Sequence, residues 1–173
     1  MFFVERIERG DYDTSKEVSS FIFDRLVKDC KDVQDWSRFT PQGLQRMQEN
    51  GDYILVARMN NCIVGCMIII KPGKRFNVVG DLLQLEEDEY RDMRSIVLAG
   101  VVEGRRREHV LKRMYDTYIN LDSKLWTAGI FWTCGVLESN KEMRLFLEDA
   151  GFIERLCIPV KDSQKLICYC NIV

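Results

Sequence analysis

Hydrophobic positions recur along this chain at two spacings, and the switches between them divide it into strands and helices. Residues 2–7 are dominated by aromatic and β-branched side chains and are closed by Gly10-Asp11, which predicts a short strand. Asp13-Thr14-Ser15 then offers a helix cap, and Val18, Phe21, Ile22, Leu26 and Val27 recur at helical spacing up to about Cys30. Thr40-Pro41 sets a capping hydroxyl before a proline whose missing N–H is harmless in a first turn. Leu44 and Met47 supply a short apolar stripe, which Asn50-Gly51 ends. Residues 53–59 and 62–71 read as a hairpin, joined by Asn60-Asn61, which tolerates positive φ, and stopped by Pro72-Gly73.

The second half is patterned differently. Residues 76–85 are ambiguous, an extension of the meander being one reading, and 86–93 form an acidic segment with room for one or two helical turns. Residues 95–102 are nearly all apolar, the pattern of a strand covered on both faces. A helix over 106–121 follows, with Val110, Met114, Tyr118 and Leu121 as its apolar stripe and Arg and Lys on its other sides. Residues 130–137 predict the next strand. Ser139-Asn140 opens a helix whose Met143, Phe146 and Leu147 face inward, and Ala150-Gly151 closes it with a glycine suited to a left-handed cap. Strands over 153–160 and 165–172 are separated by the polar turn at 161–164. The predicted order is β α α β β β α β α β β, with no linker or repeat, so one domain over 1–173 is expected.

Composition narrows the setting. With 46% hydrophobic and 30% charged residues, the chain has ordinary globular usage. A net charge of −2 gives no overall positive field, so nucleic acid is not an expected partner and any anion must be held locally. Met1-Phe2-Phe3-Val4 is apolar too briefly for a signal core, and the apolar stretch 62–70 is far short of the roughly 20 residues of a membrane helix. A soluble, cytoplasmic protein without membrane attachment is expected. Seven cysteines, an odd number without a CxxC pair, point to free thiols in a reducing compartment and to no metal site. Cys62 with Cys66, and Cys168 with Cys170, lie at even spacing in strands, so each pair is expected to share a sheet face.

Three stretches carry a resemblance. They are Ile96-Val97-Leu98-Ala99-Gly100-Val101-Val102-Glu103-Gly104-Arg105-Arg106-Arg107-Glu108-His109-Val110-Leu111, then Gly135-Val136-Leu137-Glu138-Ser139-Asn140, then Phe146-Leu147-Glu148-Asp149-Ala150-Gly151-Phe152. Together with the element order they resemble the GCN5-related N-acetyltransferase (GNAT) family: a central strand with its phosphate-binding turn, the next strand with an asparagine, and a closing helix-Gly-Phe signature. The resemblance implies an α/β fold with a mixed, mainly antiparallel sheet flanked by helices. It implies transfer of an acetyl or short acyl group from acetyl-CoA or another acyl-CoA, as co-substrate, to a primary amine. It would place the coenzyme on Val101, Arg106, Arg107, Glu108, His109, Val110, Leu111 and Asn140, with Arg105 and Lys112 adding charge.

The physical basis is a helix start, whose amides lack intrahelical partners and carry the positive end of the helix dipole, so that they cradle a pyrophosphate. Where the family's turn has two small residues, this chain has His109 and Leu111. Where the family often has a thiolate-protonating tyrosine, it has Phe146-Leu147. His109, the only histidine, sits where it would touch a phosphate or face solvent. Glu103 stands by position to accept the amine's proton, but neither catalytic group is assigned. An asparagine at 140 equally suits a helix cap. The aromatic stretch 126–134 reads as core filling. Three functions stay open: an N-acyltransferase using a coenzyme A thioester, a non-catalytic binding or structural module on the same fold, and an acyltransferase fed by a different donor. The acceptor is not legible, and a homodimer is left open.

Overall fold

The computed structural model describes residues 2–27, 36–71, 84, 86, 93–102, 104, 109–121, 131–159 and 165–172; for 131–134 and 172 it describes the backbone alone. These residues form two compact units, residues 1–70 with 98–121 and residues 71–97 with 122–173, and the boundary falls within one strand, β4 (Arg94–Val101).

The first unit is built on β1 (Phe3–Arg6), β2 (Tyr53–Met59), β3 (Cys62–Ile70) and the end of β4, adjacent in that order. β1 and β3 both run antiparallel to β2, with Phe3 opposite Arg58 and Tyr53 opposite Ile69. Asn60 and Asn61 close the β2–β3 hairpin with φ of 50° and 62°, the paired positive φ of a type I′ turn. Its first helix, α1 (Tyr12–Phe21), is capped by Asp11 rather than by the predicted 13–15 trio: the Asp11 carboxylate accepts from Thr14 N–H at 3.0 Å. α1 widens into a π-helical turn, Ile22–Leu26, and the last residues of the predicted helix, up to Cys30, lie outside the described residues. A 3₁₀ turn, Trp36–Phe39, precedes α2 (Pro41–Glu49), whose cap is Thr40, accepting from Gly43 N–H at 3.2 Å with Pro41 in the first turn. α3 (Val110–Leu121) completes the unit.

Both faces of β2 and β3 are covered, which is why they are buried almost throughout. On one face Tyr53 meets Tyr118 of α3 edge to face, with ring centroids 4.8 Å apart, and Arg6 lies over the Tyr53 ring at 4.0 Å. On the other, Arg58 reaches α1: its guanidinium donates to Glu5 at 2.6 Å, to both Glu17 oxygens at 2.9 and 2.8 Å, and to the Asn61 carbonyl at 3.2 Å. The Glu17 and Glu5 hydrogen bonds hold its pKa above the usual arginine value. One cation thereby ties β1, α1, β2 and the hairpin turn together.

The second unit has β5 (Phe131–Leu137), α4 (Lys141–Asp149), β6 (Ile153–Pro159) and β7 (Lys165–Ile172). The start of β4 runs parallel to β5, Ile96 lying opposite Cys134, and β7 stands antiparallel between β5 and β6. Met143, Phe146 and Leu147 bury one side of α4, and Gly151, with φ of 86°, ends it. Arg144 Nε donates to the Tyr169 hydroxyl at 2.9 Å, and that hydroxyl donates to Glu148 at 3.3 Å, which clamps α4 on β7.

The expected fold class is what is seen: a mixed, mainly antiparallel α/β arrangement flanked by helices. Among the described residues no helix is long and apolar enough to cross a membrane.

Three further expectations are corrected. The helix predicted from Arg106 begins at Val110, because His109 has φ of 52°, outside the right-handed helical region. Leu121, placed in the apolar stripe, is exposed at the helix's last residue. Cys62 and Cys66 do not share a face: Ala57 pairs with Gly65 but Arg58 pairs with Ile63, so Val64 is an extra, bulged residue that reverses the alternation. Cys168 and Cys170 do share one. The segments predicted over 76–85 and 86–93 fall outside the described residues, apart from Gln84, Glu86 and Met93.

Burial raises the Cys66 and Cys168 thiol pKa values and pushes that of Cys170 up to about 11, whereas Cys62 and Cys157 are exposed. Brief alkylation of the native protein with iodoacetamide near pH 8, followed by peptide mapping, is therefore expected to modify Cys62 and Cys157 at least about tenfold faster than Cys66, Cys168 and Cys170.

Candidate functional site

The feature with the clearest chemical consequence is where α3 starts. Val110 is fully buried, and its position is set by a missing side chain: a Cβ on Gly65 of β3 would lie 3.2 Å from Val110 Cγ1 and 3.3 Å from Val101 Cγ2. Val110 of α3 and Val101 of β4 thus meet over the bare backbone of β3. The exit of β4 is fixed at the same place, since Val102 N–H donates at 2.9 Å to the carbonyl of Val64, the bulged residue.

The polypeptide then passes through Gly104, with φ of 85°, and reaches His109, whose carbonyl accepts from Arg113 N–H at 3.0 Å. That is the first intrahelical bond, so the amides of Val110, Leu111 and Lys112 have no acceptor within the helix. α1 and α4 place an acid in the first turn, Asp13 and Glu142, which offsets the positive end of their dipoles. The first turn of α3 carries none, and has Lys112 instead, bound to Asp116 at 3.0 Å.

Five of the candidate binding residues lie within the described part. Val101, His109, Val110 and Leu111 belong to the first unit: Val101 and Val110 are buried, Leu111 is half-buried and His109 is exposed. Asn140 belongs to the second unit, where it is exposed and caps α4, its side-chain oxygen accepting from Met143 N–H at 3.2 Å. Arg106, Arg107 and Glu108, with Arg105 and Glu103, lie outside the described residues. Phe146 and Leu147 are 9% and 0% exposed and serve the α4 core.

The sequence reading did not single out two glycines that shape this place, Gly65 and Gly100. Each interrupts an apolar strand, a signal that marks bulges or close approach of another group. Gly100, on the opposite side of β4 from Val101, takes the tip of Leu26.

Among the described residues no group of histidine, cysteine and acidic side chains is arranged to hold a metal ion. The residues present suit an anion bound through main-chain amides.

His109 is held in the left-handed region, which disfavours a residue with a Cβ by about 1–2 kcal/mol. The substitution His109→Gly is therefore expected to raise stability by about 1 kcal/mol, read as a melting temperature higher by roughly 2–4 °C. An unchanged or lower value would mean that the imidazole makes a compensating contact.

No family sequence model matches the chain, and no curated protein sequence matches it. Solved structures do. A GNAT-family acetyltransferase from Streptococcus pneumoniae superposes with a TM-score of 0.71 at 10% identity, covering 100% of this chain and 99% of that one. An N-acetyltransferase from Staphylococcus aureus gives 0.68 at 12% identity, covering 99% and 98%. The ribosomal-protein-S18-alanine N-acetyltransferase from Escherichia coli gives 0.63 at 14% identity, covering 99% and 94%. Likeness over the full length of each, at identities too low for sequence to detect, gives this chain the GCN5-related N-acetyltransferase fold.

Proposed function

We propose that the chain is an N-acyltransferase that moves an acetyl or short acyl group from a coenzyme A thioester to a primary amine, as a single domain over residues 1–173, in the cytoplasm. The observation that carries the reading is the backbone of His109. At the position where the family's turn has a glycine, this residue keeps a glycine-like φ of 52°, although its side chain disfavours it. A turn that had lost its ligand would be expected to relax to an ordinary conformation. The Val110, Leu111 and Lys112 amides, which have no acceptor within the helix, support the reading as well.

In this proposal those amides, together with Arg106, Arg107, Glu108 and His109, hold the diphosphate, and main-chain groups near Val101 orient the thioester; the family resemblance adds Asn140 to the residues expected to touch the coenzyme. Leu111 can be tolerated because the donors are main-chain groups, which a side-chain change does not remove. When bound, the thioester supplies an activated acyl carbon. The amine nitrogen bonds to that carbon as the carbon–sulfur bond breaks. An ammonium acceptor sheds two protons, one ending on the thiolate and the other in solvent. No tyrosine occupies the acid position, where Leu147 is buried. A thiolate is a good leaving group, the thiol of cysteine having a pKa of about 8.5, so it departs near neutral pH without prior protonation and takes up its proton from solvent afterwards.

Leu147 also favours a second reading, a non-catalytic module on the same fold. Calorimetric titration with acetyl-coenzyme A separates the two. The enzyme reading expects a micromolar dissociation constant, and Arg106→Ala should weaken it by about tenfold or more through loss of a charge-assisted contact. Silence at millimolar ligand would leave the module.

A further inference from the structure

Leu26 reaches into the space left by the missing side chain of Gly100. A Cβ built there would lie 2.7 and 2.8 Å from the two methyl carbons of Leu26. Leu26 reaches it through the π turn Ile22–Leu26, closed by the Val27 N–H donating to the Ile22 carbonyl. Such turns are rare and occur mostly as local widenings of helices at functional sites. Ile22 and Val27 on either side are 0% and 7% exposed, whereas Leu26 and Gly100 are only half-buried, so their contact lies at the border of core and solvent. Leu98, on the same side of β4 as Gly100 by alternation, is buried and keeps the notch apolar. A side-chain tip that can change rotamer, and not backbone, closes it.

We propose that Leu26 limits the length of the acyl chain the protein accepts, by capping a saturated-chain subsite over Gly100. This rests on the acyltransferase reading, which sets the thioester against the main chain near Val101. Neighbouring Cα atoms are about 3.8 Å apart, so two or three carbons beyond the thioester carbonyl suffice to reach the notch. An acetyl group stops short of Leu26; a butyryl or hexanoyl chain runs into it. The carbon skeleton of an amine is the other apolar group that could lie there, and titration with no amine present isolates the acyl chain.

The test is calorimetry on the full chain with coenzyme A and its acetyl, butyryl and hexanoyl thioesters, comparing the native protein with Leu26→Ala and Gly100→Ala. Leu26→Ala is expected to bind coenzyme A and acetyl-coenzyme A as the native protein does, and hexanoyl-coenzyme A roughly tenfold more tightly, the gain from about two newly sheltered methylenes. Gly100→Ala crowds the notch from the strand side without opening a cavity, and should weaken butyryl-coenzyme A several-fold relative to acetyl-coenzyme A. Identical chain-length series in all three proteins, with coenzyme A itself bound, would overturn the role of Leu26 alone. Failure of every protein to bind coenzyme A would overturn the acyltransferase reading, and this inference with it.

Discussion

The packing of Val110 and Val101 over Gly65 fixes the rest of the candidate site. A side chain on Gly65 would press on the Val110 and Val101 side chains, which would have to give by a few tenths of an ångström beside the start of α3. The bulge at Val64, next along the strand, supplies the carbonyl that anchors Val102, so one irregular step in β3 fixes both the strand that leads into the turn and the helix that leaves it. Bulges beside functional sites commonly re-aim a strand in this way. Van der Waals contact, not charge, therefore sets the geometry on which an electrostatic site depends.

The opposite face of the first unit is organised by charge. Arg58 binds two carboxylates from different elements and one carbonyl, which fixes α1 against β2. With α1 fixed, its π turn carries Leu26 to Gly100. β4 thus presents alternate residues to two different neighbours, Val101 to α3 and Gly100 to Leu26. This follows from the two-residue period of a strand, and each of the two glycines of β3 and β4 lets a neighbouring side chain approach the backbone closely.

Much of this was legible in the sequence because local chemistry decides it. Thr40-Pro41, Asn60-Asn61, Asn140 and Gly151 act as their residue types predict, since a cap or a turn depends on its immediate neighbours. Features set by distant partners were not legible. The bulge at Val64 is marked only by the neighbouring Gly65, which does not reveal that the alternation reverses there and moves Cys62 to the face away from Cys66. The start of α3 was misplaced because Arg106 to Leu121 is helix-compatible throughout in composition, whereas the break comes from the φ of His109, a residue with no strong preference for that region. Asp11 capped α1 ahead of three other good candidates, a choice made by where the chain enters the helix. The resemblance carried the fold, but Leu26 and the two glycines needed coordinates, because their roles exist only between elements far apart in sequence.

The central claim concerns three amides, and they can be observed directly. Proton–nitrogen correlation spectra of the labelled full chain, recorded during titration with coenzyme A, report the Val110, Leu111 and Lys112 amides individually. If the start of α3 holds the diphosphate, these resonances shift together and saturate with the ligand, as amides donating to a new anionic partner do. Resonances of all three that stay in place while coenzyme A binds would contradict it.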